Sequence, residues 1–166
     1  KSNGKMRPSG IPCLEDKLVQ LAAAKILNAI FEQDFRPFSY GYTPNRSAKD
    51  CIKQFTMDLQ FGKYGYIVEE DIKGFFDNIN HDWLIRMLEQ RIQDGAFIRL
   101  IKKWLKAGIL DKSEVKHPVT GTPQGGIVSP ILANIYLHYV IDLSMEKAIK
   151  PRNKGMTCIA GYADDF

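Results

Sequence analysis

Long apolar runs are missing from this sequence. None reaches the roughly 18–20 residues of a membrane span, and the first residues show no basic-then-apolar signal pattern. Cysteine is scarce: Cys13, Cys51 and Cys158 are odd in number, far apart and in no CxxC pair. Neither a disulfide framework nor a zinc site is indicated, and a reducing, cytoplasmic setting is the expectation. The histidines, His81, His117 and His138, share no ligand spacing and read as structural. No Ser-His-Asp or Cys-His arrangement is suggested, no GxxxxGK[ST] phosphate loop occurs, and there is neither an internal repeat nor a low-complexity tract. Trp83 and Trp104 fall on helical faces and are expected in the core.

What remains is an ordinary folded composition. Hydrophobic residues make up 45% of the 166 and charged ones 25%, which suits one domain or one lobe of a larger one. A net charge of +4 permits an anionic partner without demanding one. Apolar positions Leu14, Leu18, Leu21, Ala22, Ile26, Ala29 and Ile30 predict a helical face over residues 14 to 34. The run "FRPFSYGYTPNRS" reads as a loop, and residues 46 to 60 as a second helix. "YGYIVEED" is a β-type segment, and Asn80 caps a helix over "NHDWLIRMLEQRI". Residues 96 to 107 carry Phe97, Leu100, Ile101, Trp104 and Leu105 on one side of another helix. "VTGTPQGGIVS" is a glycine-rich loop, after which Ser129 caps and Pro130 opens a long helix to about Ala148. The basic loop "KPRNKG" leads into a last strand, "MTCIAGYADDF". Helices first, then strands alternating with helices, predict an α/β or α+β domain whose sheet is covered on one face.

Two acidic sites end strand-like segments. Asp71 follows Ile67 and Val68 in "EEDIKGFFDNI", and Asp164 and Asp165 stand together in "IAGYADDF". Adjacent acids repel and raise one another's pKa unless a cation sits between them. A turn that points carboxylates at a facing strand end is therefore a candidate divalent-metal site. Mg²⁺ takes hard oxygen ligands and keeps water and substrate phosphates in its shell, so two or three carboxylates suffice. A lone "DD" is more often a solvated turn, and its surroundings decide the matter.

Those surroundings carry a resemblance. "RPSGIPCLEDKLVQ", "FSYGYTPNRSA", "DIKGFFDNI", "GTPQGGIVSPILANIYL" and "YADDF" occur in that order. Together they resemble the successive blocks of the reverse transcriptases encoded by bacterial and organellar group II introns. The likeness implies an α+β right-hand polymerase, fingers and partial palm, with helices packed on a small antiparallel sheet. Residues 1–65 would be mostly fingers, 66–95 palm with the first catalytic Asp, 96–120 a fingers/palm connection, and 121–166 palm ending at the YADD turn. The thumb and maturase domains would lie outside these residues, so the chain alone is expected to polymerise nothing. The implied activity is RNA-directed DNA synthesis by two-metal nucleotidyl transfer, coupled to a maturase role in splicing. An RNA-binding splicing cofactor without polymerase activity, or a retron, diversity-generating or CRISPR-associated enzyme, stands as the alternative. The implied location is the bacterial cytoplasm or an organelle.

The resemblance also implies roles. Asp71 and Asp164 would bridge two Mg²⁺ ions (Mn²⁺ as substitute), with Asp165 less direct and the Ile72 carbonyl a further ligand. Gly74 and Phe75 would offer backbone N–H groups to the triphosphate, and Phe76 would fill the space of a ribose 2′-hydroxyl. One of the two phenylalanines is expected in the core, and Phe75 is the better candidate. Gln124 would approach the primer 3′-hydroxyl, Lys5 and Arg7 the triphosphate oxygens, and Tyr42, Asn45 and Arg46 the template strand. The implied partners are RNA template, DNA primer, dNTPs and host intron RNA, with no membrane. A homodimer or oligomer through exposed palm surface is a further expectation.

Overall fold

The computed structural model describes residues 11–107, 109–111, 114–116, 120–122 and 125–166. Its helices are α1 (Leu14–Phe31), α2 (Ala48–Phe61), α3 (Phe75–Asn78), α4 (His81–Glu89), α5 (Gly95–Lys106) and α6 (Ser129–Leu137). The helical path of α6 runs on through His138–Asp142 and Met145–Ile149 in π-type turns, where Leu143 N–H donates to His138 O and Lys150 N–H to Met145 O, and ends at Arg152. No helix among the described residues is long and apolar enough to cross a membrane.

Several boundaries follow from capping. Ser47 and Asp50 form a reciprocal capping box at α2, Asn80 accepts from Trp83 N–H at α4, and Asp94 accepts from Ala96 and Phe97 N–H at α5. At α6 the capping position is Val128; Ser129 is the first helical residue and is buried, so the expected serine cap is displaced by one. The core gathers α4, α5, α6 and one side of α1, with Leu27, Phe31, Ile79, Leu84, Leu88, Ile101, Leu105, Leu132 and Ile135 fully enclosed.

The expected helices on an antiparallel sheet are not found. Among the described residues ladder pairing is limited to a hairpin of β1 (Ile109–Asp111) with β2 (Glu114–Lys116) and three isolated bridges. The large apolar side chains that a sheet would bury are consumed in helix-on-helix contacts. The extended segment with β-type composition leaves Tyr66 94% exposed, and Ile67 and Val68 exposed beside it.

The first helix also turns the other way. Leu14 (69% exposed), Leu18, Leu21 and Ile26 face outward, while Gln20, Ala23, Ala24, Leu27 and Phe31 face inward. Ala23 and Ala24 are buried on that inner face, and Gln20 Oε1 accepts the Ile127 N–H at 2.9 Å. Trp104 is buried as expected, whereas Trp83 is 55% exposed with the Arg86 guanidinium 5.1 Å above its ring.

Candidate active site

The two acidic segments meet. Glu70 and Phe166 exchange both backbone hydrogen bonds at 2.8 Å, and Ile72 N–H donates to Asp164 O at 3.0 Å. This short antiparallel clamp sets Asp71 directly opposite Asp165. Directly opposed residues project to the same face of such a pair.

The second acid segment is a two-residue hairpin. Tyr162 and Asp165 exchange backbone hydrogen bonds at 2.8 and 3.2 Å around Ala163–Asp164. Ala163 holds φ +59°, a left-handed conformation that a residue with a Cβ adopts at a cost of about 1–3 kcal/mol. The neighbouring loop is seated against it. Tyr40 N–H donates to Gly161 O at 2.8 Å and Gly161 N–H to Phe38 O at 2.9 Å. Gly41 lies so near that a Cβ there would stand 2.2 Å from Ala163 N.

The electrostatics are those of unbalanced like charge. Although exposed, the Asp165 carboxyl is pushed above its usual range, first by local desolvation, then by the charges of Asp164, Asp71 and Glu69. Among the described residues no three acidic, His or Cys groups close into a cage for an ion. The arrangement is an open acidic edge. That suits a hard divalent cation that keeps water and phosphate oxygens in its shell, and such a cation would offset the crowding that raises Asp165.

The other expected residues fall in three places. Phe75 is buried, its N–H donating to Ile72 O at 3.1 Å, so that N–H is already spent. Gly74 takes φ +64° at the start of α3. Phe76 is half-buried and packs edge-on against Phe75 (5.5 Å between centroids) and Tyr42 (6.3 Å). Tyr42 and Asn45 both hold left-handed φ values, +52° and +59°. Arg46 turns inward: its Nη1 donates to Ser39 O at 2.7 Å and also to Arg36 O, stapling its own loop. Lys5, Arg7, Gln124 and His117 lie outside the described residues.

A backbone knot joins the glycine-rich block to the Phe76 turn. Thr122 N–H donates to Phe76 O and Gly121 N–H to Ile79 O, both at 2.8 Å. Gly121 holds φ +88°, and a Cβ on it would meet Phe76 O at 2.7 Å. His81 Nε2 lies 2.6 Å from Gly121 O, a structural role as expected. Gly41, Gly121 and Asn134 were not among the residues the sequence singled out. The usable signal for Asn134 was its position as an amide within the apolar run "PILANIYL".

The structure thus brings Asp71, Asp164 and Asp165 together at one clamped acidic hairpin. The family model for reverse transcriptase (RNA-dependent DNA polymerase) matches residues 1–166, and the chain belongs to that family. It is 46% identical over 150 residues to the group II intron-encoded protein LtrA of Lactococcus lactis subsp. cremoris, covering 88% of this chain and 25% of LtrA. A 91 kDa protein in the cob intron of Schizosaccharomyces pombe is 45% identical over 138 residues, covering 83% and 17%. Protein YkfC of Escherichia coli (strain K12) is 40% identical over 143 residues, covering 83% and 37%. The likeness to intron-encoded reverse transcriptases read from the five blocks is borne out, and the chain spans about a quarter of the length of LtrA.

Proposed function

We propose that these residues form the fingers and partial palm of an RNA-directed DNA polymerase of the group II intron-encoded type, with a maturase role in the full-length protein. The observation that carries the reading is the clamp of Glu70–Ile72 on Asp164–Phe166, which opposes Asp71 to Asp165. In this reading Asp71, Asp164 and Asp165 would hold two Mg²⁺ ions, Asp164 being the more direct of the adjacent pair by the resemblance alone, and the Ile72 carbonyl, which also accepts the Phe75 N–H, would add a further oxygen. When bound, the ions supply activation of the primer 3′-oxygen and neutralisation of charge on the leaving phosphates. With the Phe75 N–H occupied, the backbone contact to the triphosphate passes to Gly74, aided by Lys5 and Arg7. Gln124 orients the primer end, and Tyr42, Asn45 and the backbone stapled by Arg46 border the template. The direct test is RNA-templated extension of a DNA primer by the full-length protein with dNTPs and Mg²⁺ or Mn²⁺. A protein that binds RNA yet makes no cDNA with either ion would be a splicing cofactor instead.

Phe76 is proposed as the sugar gate because its ring is the half-exposed member of the Phe75–Phe76 pair. Phe76→Ala is expected to raise ribonucleotide relative to deoxynucleotide incorporation by about tenfold or more, the scale of one lost contact in a fitted pocket. An unchanged ratio would leave the ring a packing partner of Tyr42.

RNA affinity in this reading is electrostatic and spread over Lys63, Lys102, Lys103, Lys106, Arg46 and the "KPRNK" loop. Lys102 Nζ is 3.9 Å from Glu89 Oε1 across exposed side chains, a pair weak enough to yield to a phosphate. Affinity should fall by about 0.7–0.9 log units per phosphate contact for each log unit of salt. A binding constant indifferent to salt between dilute and physiological buffer would contradict this placement.

A further inference from the structure

We propose that Asn134 is a positioning residue for the acidic hairpin: through the Gly41 carbonyl it sets the height at which Tyr162–Asp165 meets Asp71. The proposal rests on the polymerase reading of that hairpin. Asn134 stands on an otherwise apolar stretch of α6, between the buried Ile131, Leu132 and Ile135, and is itself only 4% exposed. Nothing in that environment calls for an amide; burying one is costly unless it is bonded. Its Nδ2 donates to Gly41 O at 2.6 Å.

The bonded carbonyl belongs to the residue in backbone contact with the hairpin. A Cβ on Gly41 would lie 2.2 Å from Ala163 N and 2.9 Å from Ala163 Cα, so no gap exists to absorb a shift. The same helical path holds the loop at two further points. Glu146 Oε2 pairs with Arg36 Nη2 at 2.8 Å, and Lys150 Nζ lies 5.0 Å over the Phe38 ring. The strained φ of Ala163 needs surroundings that fix it, and the Gly41 backbone is what lies against it. A chain of contacts thus runs from α6 through the loop to the hairpin; Asn134 is its link from α6 to the Gly41 carbonyl, which also accepts the Thr43 hydroxyl at the longer distance of 3.3 Å.

The test is Asn134→Leu in the full-length protein, which keeps the branched outline of the side chain and removes the donor. Amide exchange at Gly161, Tyr162 and Asp165, all backbone-bonded here, should quicken about tenfold while amides of α4 and α5 hold. Mn²⁺ alone, followed by its paramagnetic resonance, should bind about tenfold more weakly. In primer extension kcat should fall about tenfold with KM for primer–template unchanged. A folded variant with wild-type exchange at the hairpin and wild-type Mn²⁺ affinity would overturn the proposal, as would a loss shared evenly with α4 and α5. If the leucine variant does not fold, Asn134→Ser goes through the same measurements, and the same results support or overturn the positioning role. A wild-type protein that extends no primer would sink the polymerase reading alone, because exchange and Mn²⁺ binding still decide the positioning role.

Discussion

Asp71→Asn and Asp164→Asn, made singly in the full-length protein, are each expected to reduce primer extension by about a thousandfold or more, the scale of several kcal/mol of metal-borne stabilisation. RNA binding should stay near wild type. Asparagine keeps the shape of the side chain and removes its anionic oxygen, so loss of charge is separated from loss of contact. The structure adds a second readout. Asp71 faces Asp165 across the clamp, and its charge is one of those that push the Asp165 carboxyl up. Neutralising Asp71 relieves that repulsion, so the variant should melt no lower than wild type when divalent ions are withheld. An inactive variant of undiminished stability is the signature of a lost ligand, whereas one that melts early has lost its fold. Extension at the wild-type rate by either variant would remove these acids from the chemistry.

How far the site could be read in advance depended on which interactions are local. The caps at Ser47, Asn80 and Asp94 depend on residues two or three positions away, and the helices after them were visible in the sequence. The two acid segments were visible for a similar reason: a glycine, a turn and adjacent carboxylates lie within a few residues. The face of α1 was not. Periodicity favoured its leucines, but the face that is buried carries Gln20, Ala23, Ala24, Leu27 and Phe31, with Gln20 bonded to Ile127 N–H. A sheet was expected from β-type composition, which reports fit to a half-buried pleated surface rather than the presence of a partner strand. Here Tyr66–Val68 have no such surface, and only Glu70–Ile72 find partners. Arg46 shows the same limit at one residue: its charge is plain in the sequence, whereas the bonds of its Nη1 to the Ser39 and Arg36 carbonyls, seven and ten positions away, are not. The seat of the hairpin joins residues near 40, 134 and 163, a juxtaposition that no local pattern announces.

That seat makes the effect of Gly41→Ala large. Among the described glycines with positive φ are Gly74, Gly121 and Gly125, and Gly41 is not one of them, so its requirement is for space. The new methyl would fall 2.2 Å from Ala163 N and 2.9 Å from Tyr162 C, distances that no Cβ tolerates, and both neighbours are backbone atoms that cannot rotate aside. Two responses are available. The loop can lift from the hairpin, breaking the Asn134–Gly41 hydrogen bond and the pairing of Phe38 and Tyr40 with Gly161. Alternatively the hairpin can lift from the loop, drawing Asp164 away from its bond with Ile72 N–H. Overpacking of this kind costs about 1–3 kcal/mol, less than the stability of a typical domain, so the variant should fold. Catalysis should suffer more, because a displacement of about 1 Å in a reacting constellation costs roughly a hundredfold. Gly155→Ala is the control, since a methyl there meets nothing within 4 Å. Extension by Gly41→Ala about a hundredfold below Gly155→Ala, with both variants folded, is the expected result. Equal rates would show that loop and hairpin have slack between them, and that the depth of the acidic turn is set elsewhere.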